Sequence, residues 1–141
     1  MKEYDIKDYQ KQQEIVQTKI EYAYGILMEK GDRLIDDDYE EGVSYYKKAN
    51  KLFTEAKELS LALLSNRYPN FIQWMKKDLY INFKKEDISD LYWLTASMAG
   101  SIQSSRGANP YELINIPIIG KLLETAIALD PKWGGGSLQA A

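Results

Sequence analysis

Residues 87–105 read DISDLYWLTASMAGSIQSS, and their spacing decides the fold class. Leu91, Leu94, Met98 and Ile102 recur at three and four residues, the period of a helix with one apolar face. Asp87 stands where a helix N-cap stands, and Arg106-Gly107 supplies a cation and a glycine at the other end, so both termini are signed. Asn109-Pro110-Tyr111-Glu112 restarts the chain with a cap, a proline at the first helical position and a carboxylate three residues after the cap. Ile116-Pro117 then reads as an interruption, because the residue before a proline is disfavoured in helical geometry. From Pro117, within the stretch IPIIGKLLETAIALDP at 116–131, Ile119, Leu122, Leu123, Ala126 and Leu129 form one stripe that Asp130-Pro131 closes. The two stretches form a pair of antiparallel helices, and Ala96, Ala99 and Gly100 are the small residues through which such helices approach.

Outward from this pair, Val16, Ile20, Ala23 and Leu27 mark one face of an earlier helix, with Ile15, Tyr22 and Ile26 beside it, and the pattern stops near Lys30-Gly31. Asp36-Asp37-Asp38 lies in a polar loop. Asp38 and Glu41 form a capping pair at the head of a long periodic run from Tyr39 to about Ser65. Within that run Gly42, Ala49, Ala56 and Leu63 fall seven apart, interleaved with Tyr46, Phe53 and Ser60, while Lys47, Lys48, Lys51, Glu55, Lys57 and Glu58 make a solvated flank. Asn66-Arg67-Tyr68-Pro69-Asn70 breaks the helix, and residues 70–81 read as a short element and a connector. Helices are therefore predicted near 8–30, 39–65, 87–105 and 117–129. The fold class is all-α, a TPR-like helix-turn-helix array with degenerate repeats, in one domain over 1–141.

Composition narrows the function. The chain is 45% hydrophobic and 28% charged, which is globular, and its formal charge of −3 comes with basic residues scattered among acids, so nucleic acid is not a predicted partner. No cysteine is present, which excludes disulfides and thiolate chemistry. No histidine is present either, which removes the commonest general base and metal ligand, so no enzyme activity and no cofactor are predicted. The apolar runs fall short of the roughly 18–20 residues of a membrane span, and Met1-Lys2-Glu3-Tyr4-Asp5 does not read as a signal peptide.

Two half-repeats are visible. Residues 39–49 follow the second-helix pattern of a tetratricopeptide repeat, with Gly42, Tyr46 and Ala49 at its small, aromatic and alanine positions, and residues 126–131 repeat the end of that pattern. Three stretches between about Tyr39 and Gln139, KLFTEAKELSLALLSNRYPNF, LYWLTASMAGSI and LLETAIALDPKWGGGSLQ, resemble in order and separation the T-component (TatT) family of TRAP transporters. The resemblance implies a TPR-like, non-enzymatic protein, periplasmic and lipid-anchored in full length. It also implies service to a solute-binding P-component, trimers, and a hydrophobic pore that passes a hydrophobic small molecule. The chain carries no lipobox cysteine, and members of the family continue past Gly134-Gly135-Gly136 into further helices. The alternative is a generic TPR-like scaffold that holds a peptide or a partner helix.

Site candidates follow from both readings. Asp36-Asp37-Asp38 with Glu40 and Glu41 lacks the spaced ligands of a calcium loop and reads as helix capping, so no metal is predicted. The dense aromatic supply of Tyr68, Phe71, Trp74, Tyr80, Tyr92 and Trp93, with Met75, is either core or the wall of an apolar passage. Under the second reading Trp74, Met75, Tyr80 and Trp93 are the ligand-channel candidates. Gly42, Ala49, Ala96, Gly100 and Ala126 are the helix-seam candidates. Gly134-Gly135-Gly136 follows no strand and has no phosphate-loop lysine, so it reads as a turn into a further helix.

Overall fold

The computed structural model of the chain describes residues 3–77 and 79–133, with side chains from Asp8 onward. The glycine run at 134–136 therefore lies outside the described residues. The fold is all-α, and no strand occurs among the described residues. In chain order it has α1 (Glu3–Tyr22), a π-helical segment (Ala23–Met28), α2 (Glu29–Leu34), α3 (Tyr39–Arg67) and α4 (Phe71–Lys76). A 3-10 turn (Lys85–Asp87), α5 (Ile88–Ser105), a second 3-10 stretch (Pro110–Asn115) and α6 (Ile116–Leu129) follow.

Side-chain contacts give the directions. Tyr9 meets Arg67, Lys19 meets Glu55, and Gly31 faces Tyr46, so α1 and α2 run antiparallel to α3. Asn50 meets Ser101 and Ser104 while Arg67 meets Asp87 and Asp90, so α3 and α5 are antiparallel as well. The chain then returns through the second 3-10 stretch, and α6 packs on α5. Successive antiparallel helices of this kind are compatible with a TPR-like array.

Periodicity placed the buried faces. All four of Val16, Ile20, Ala23 and Leu27 are buried, and in α3 the buried set is Gly42, Tyr46, Ala49, Phe53, Ala56, Ser60, Leu63 and Leu64. They fall into two cores. One joins α1 to α3 around Phe53, and the other joins the end of α3 to α4, α5 and α6 around Phe71, Leu91, Leu94 and Leu122. Asp38 caps α3 as its position predicts, its carboxylate accepting from the Glu41 amide at 3.1 Å.

Four local expectations are corrected. The first helix does not stop at Lys30-Gly31 but continues through Gly31 to Leu34, because the glycine faces inward rather than ending a turn. A Cβ on Gly31 would come within 2.7 Å of the Tyr46 ring, and one on Gly42 within 2.8 Å of the Ile35 backbone, so the two glycines let α2 and α3 cross closely. The second correction concerns Ile116-Pro117, which does not interrupt. Ile116 is helical at φ −57° and ψ −48°, and Pro117 sits in the first turn of α6, where its missing N–H costs no hydrogen bond. Thirdly, Asn109 does not cap through its side chain, which donates instead to Glu112 at 3.3 Å. Asp87, lastly, does not cap α5: its carboxylate reaches back to the Lys84 amide at 2.9 Å and serves the preceding 3-10 turn.

Candidate functional site

The candidate site is built where α4 is laid against α6. Tyr68 ends α3, and the turn at Pro69-Asn70 starts the six-residue α4, whose inner face carries Phe71, Trp74 and Met75. Phe71 stacks on Trp74 at 5.6 Å, and Phe83 meets the Trp74 ring edge-on at 4.8 Å, so the connector after α4 folds back over the same cluster. Lys121 crosses from α6. Its ammonium donates to the Trp74 carbonyl and, at 3.1 Å, to the Lys77 carbonyl, and lies 4.3 Å from the Trp74 ring centre. A cation on the last carbonyls of a short helix satisfies acceptors that the helix cannot satisfy itself.

Beside this contact an open groove of about 820 Å³ runs between the end of α4 and the start of α6. Met75, Ile114, Pro117 and Ile118 supply its apolar wall, and Lys76, Lys77 and Lys121 its charge. Exposed apolar side chains also occur on the segments that form it: Ile72 on α4, Leu79 on the connector after it, Leu113 on the second 3-10 stretch and Ile116 at the start of α6. Exposed apolar surface concentrated in this way marks an interaction site more often than scattered single residues do.

The four channel candidates do not converge. Trp74 and Met75 lie together in the second core, both nearly buried, with Met75 also reaching the groove wall. Tyr80 is 84% exposed on the connector. Trp93 is half-buried against the α1–α3 core, its ring edge-on to Tyr92 at 5.0 Å. Among the seam candidates, Ala49 and Ala126 are fully buried, Gly42 and Gly100 are buried, and Ala96 is half-buried, its carbonyl accepting from the Tyr24 hydroxyl at 3.2 Å. Burial of Tyr24 pushes its phenol up to about 12.

Sequence reasoning missed a polar cluster where α1, α3 and α5 meet. Arg67, at the end of α3, donates to Asp87 and, at 2.8 Å, to Asp90, and its guanidinium lies over the Tyr9 ring at 4.7 Å. The Tyr9 hydroxyl donates to Asp90, the Tyr68 hydroxyl to Asp87, and Gln13 Nε2 to Asp90 at 2.8 Å. Both carboxylates are almost fully buried, and burial pushes both above the usual carboxylate range. One signal for it was present: Asp87 and Asp90 fall in phase with Leu91, Leu94 and Met98, which places charge on an apolar stripe.

These stretches, the α3 end with its Arg67-Tyr68 pair, the α5 seam and the α6 stripe, are the ones that carry the family likeness, and a family model describing the TRAP transporter T-component matches residues 7–141. The chain belongs to the T-component family. No curated protein sequence matches it. Membership makes it an accessory component of a TRAP-type transport system and places it in a transport family rather than an enzyme family. Among the described residues no helix is long and apolar enough to cross a membrane, and no three acidic side chains stand close enough to share a metal ion.

Proposed function

We propose that this T-component is a single TPR-like unit that binds a periplasmic solute-binding P-component and passes a hydrophobic small molecule to it. The family match over residues 7–141 carries the reading. It is supported by the exposed apolar side chains around the α4–α6 groove, which give a partner surface something to bury. In this proposal Met75 and Trp74 form the inner wall of the ligand path, while Tyr80, in solvent on the connector, and Trp93, on the other core, lie at its margins. The full-length protein works in the periplasm, held there by a lipid anchor, and assembles as a trimer. The test is capture of the P-component encoded beside the chain, compared with a Tyr80→Ala, Ile114→Asp double variant. Capture by the wild type and its loss in a folded double variant support the reading, and failure of the wild-type chain to capture that partner sinks it.

A second reading, the generic peptide-holding scaffold, is favoured by another groove of about 680 Å³ between α3 and the turn after α5. Polar groups line it, among them Lys47, Asn50, Arg106, Asn109 and Glu112. Arg106 is held there in the left-handed region at φ 52°, its guanidinium 5.0 Å from the Tyr46 ring centre. Non-glycine residues persist in that conformation when their surroundings fix them, and such sites are often functional. Retention of partner capture in an Arg106→Ala, Lys47→Ala double variant counts against this second groove as the partner site.

A further inference from the structure

α4 is too short to hold its own end. Its six residues make fewer than two turns, and the last carbonyls of any helix have no donor within it. The buried Phe71, Trp74 and Met75 anchor the inner face of α4, but they do not hold the point where the chain leaves it. That point is held from α6. The Lys121 ammonium donates to the Trp74 carbonyl and, at 3.1 Å, to the Lys77 carbonyl, which also accepts from the Leu79 amide at 2.9 Å. One side chain therefore gathers the last turn of α4 and the first turn of the connector, through bonds that a charged donor makes stronger than a neutral one. An apolar residue at 121 would cover the Trp74 ring as the lysine stem does, so packing alone does not call for a charge there; the two carbonyls do.

The exposed apolar side chains of this region stand on the segments so joined. Leu79 and Tyr80 follow the carbonyl that Lys121 holds, and Ile114 and Ile116 precede Lys121 at the entry to α6. We propose that Lys121 is a positioning residue for the partner surface: acting through the end of α4, it sets where the connector presents Leu79 and Tyr80 relative to Ile114 and Ile116. The inference rests on the partner-binding half of the proposed function and is independent of the ligand-carrying half. It adds a named side chain that fixes the geometry of that surface without belonging to its apolar contacts.

The experiment is amide hydrogen exchange on the whole chain, read by mass spectrometry over residues 71–77, with capture of the P-component encoded beside the chain titrated on the same samples. Lys121→Met keeps an apolar stem over Trp74 and removes the donors, while Lys121→Arg keeps a cation able to donate to both carbonyls. Lys51→Met, at an exposed position on α3, removes a cation elsewhere and controls for net charge. Lys121→Met is expected to keep its helix content by circular dichroism, to exchange about tenfold faster over 71–77 with α3 and α5 unchanged, and to capture the P-component about tenfold more weakly. Lys121→Arg brings both readouts back to within about threefold of the wild type, and Lys51→Met moves neither. Wild-type exchange over 71–77 in Lys121→Met overturns the inference whatever capture does. Faster exchange there with undiminished capture overturns it too, because α4 would then be loose without effect on the partner. Exchange that rises equally over α3 and α5 makes the lysine a general stabiliser, which is a third refutation. Absence of capture by the wild-type chain sinks the partner reading and with it the role of Lys121 in that surface, while the exchange arm still reports whether Lys121 holds α4.

Discussion

Gly100 gives the most direct test of how the helices approach. A Cβ built there would lie 2.4 Å from Cε1 of Phe53 and within 2.6 Å of two further ring atoms, far inside van der Waals contact. The ring cannot swing away cheaply. Phe53 is fully buried in the α1–α3 core, and the Tyr24 ring meets it edge-on at 4.6 Å from the other helix. Gly100→Ala therefore forces α3 and α5 apart or pushes Phe53 into Tyr24, an overpacking cost of about 2–3 kcal/mol. Alanine returns roughly 1 kcal/mol of helix propensity, so the net loss is about 1–2 kcal/mol. For a chain of this size that corresponds to a fall in Tm of about 2–8 °C. Gly120→Ala is the internal control. Its Cβ would meet nothing within 4 Å, so the same propensity gain goes unopposed and Tm should rise by about 2–4 °C. The assay is thermal unfolding of both variants by circular dichroism, with Phe53→Leu combined with Gly100→Ala as a rescue that couples positively if the two side chains share the space. A Gly100→Ala variant that melts at or above the wild-type temperature would refute the reasoning, because the seam would then have slack that the packing of Phe53 on Gly100 does not allow.

Three further outcomes are expected. Arg67→Leu leaves Asp87 and Asp90 buried without their cation and should destabilise the fold by roughly 3–5 kcal/mol in urea denaturation, more than any exposed lysine substitution. Both carboxylates have raised pKa values through burial, so the folded chain holds protons more readily than the unfolded one; their stabilising contribution is complete below about pH 4 and is lost as pH rises through the folded values. Urea midpoints should therefore rise for the wild type, relative to an Asp87→Asn, Asp90→Asn variant, as pH falls from 7 towards the unfolded carboxylate value of about 4, and a flat difference over that whole range would show that the pair is not the titrating element. Ala126→Leu adds bulk at a fully buried position of the α5–α6 contact and should cost about 1–3 kcal/mol, read as a lowered Tm.

Much of the fold was legible because apolar period and helix termini agree at most positions. The seven-residue spacing of Gly42, Ala49, Ala56 and Leu63 named one buried face of α3, and Asp38 with Glu41 named its start. Errors came where a local preference met a tertiary contact. Gly31 has the chemistry of a helix stop, but its missing side chain is used for closeness to Tyr46. Ile116 is disfavoured in helical geometry by the proline after it, yet it is helical where the 3-10 stretch runs into α6 with no residue between them. The π-helical segment at Ala23–Met28 has no counterpart in the periodic pattern, since one residue of extra turn shifts the apolar phase too little to be seen in a run of that length.

The candidate site was less legible than the fold because its parts come from segments with no sequence pattern in common. The aromatic crowd at 70–81 announced a cluster, but nothing in its order separates the side chains that turn inward, Phe71 and Trp74, from Tyr80, which stays in solvent. α4 has only six residues, too few for periodicity to fix a face, and the connector after it has no repeat at all. Lys121 shows the same limit from the other side. In the sequence it is one of two charges, with Glu124, in an apolar run, which ordinarily means the solvent edge of a helix. In the structure it closes the end of α4 and stands over Trp74, so its charge serves the packing of α4 on α6. A charge that interrupts an apolar stripe is therefore informative in this chain at both Asp90 and Lys121: one joins α1 to α3 and α5, the other joins α4 to α6. Asp90 meets Arg67 across 23 residues and Tyr9 across 81, and Lys121 meets Trp74 across 47. Only folding brings such pairs together, and the α4–α6 groove that Lys121 lines exists only once α4 and α6 have met.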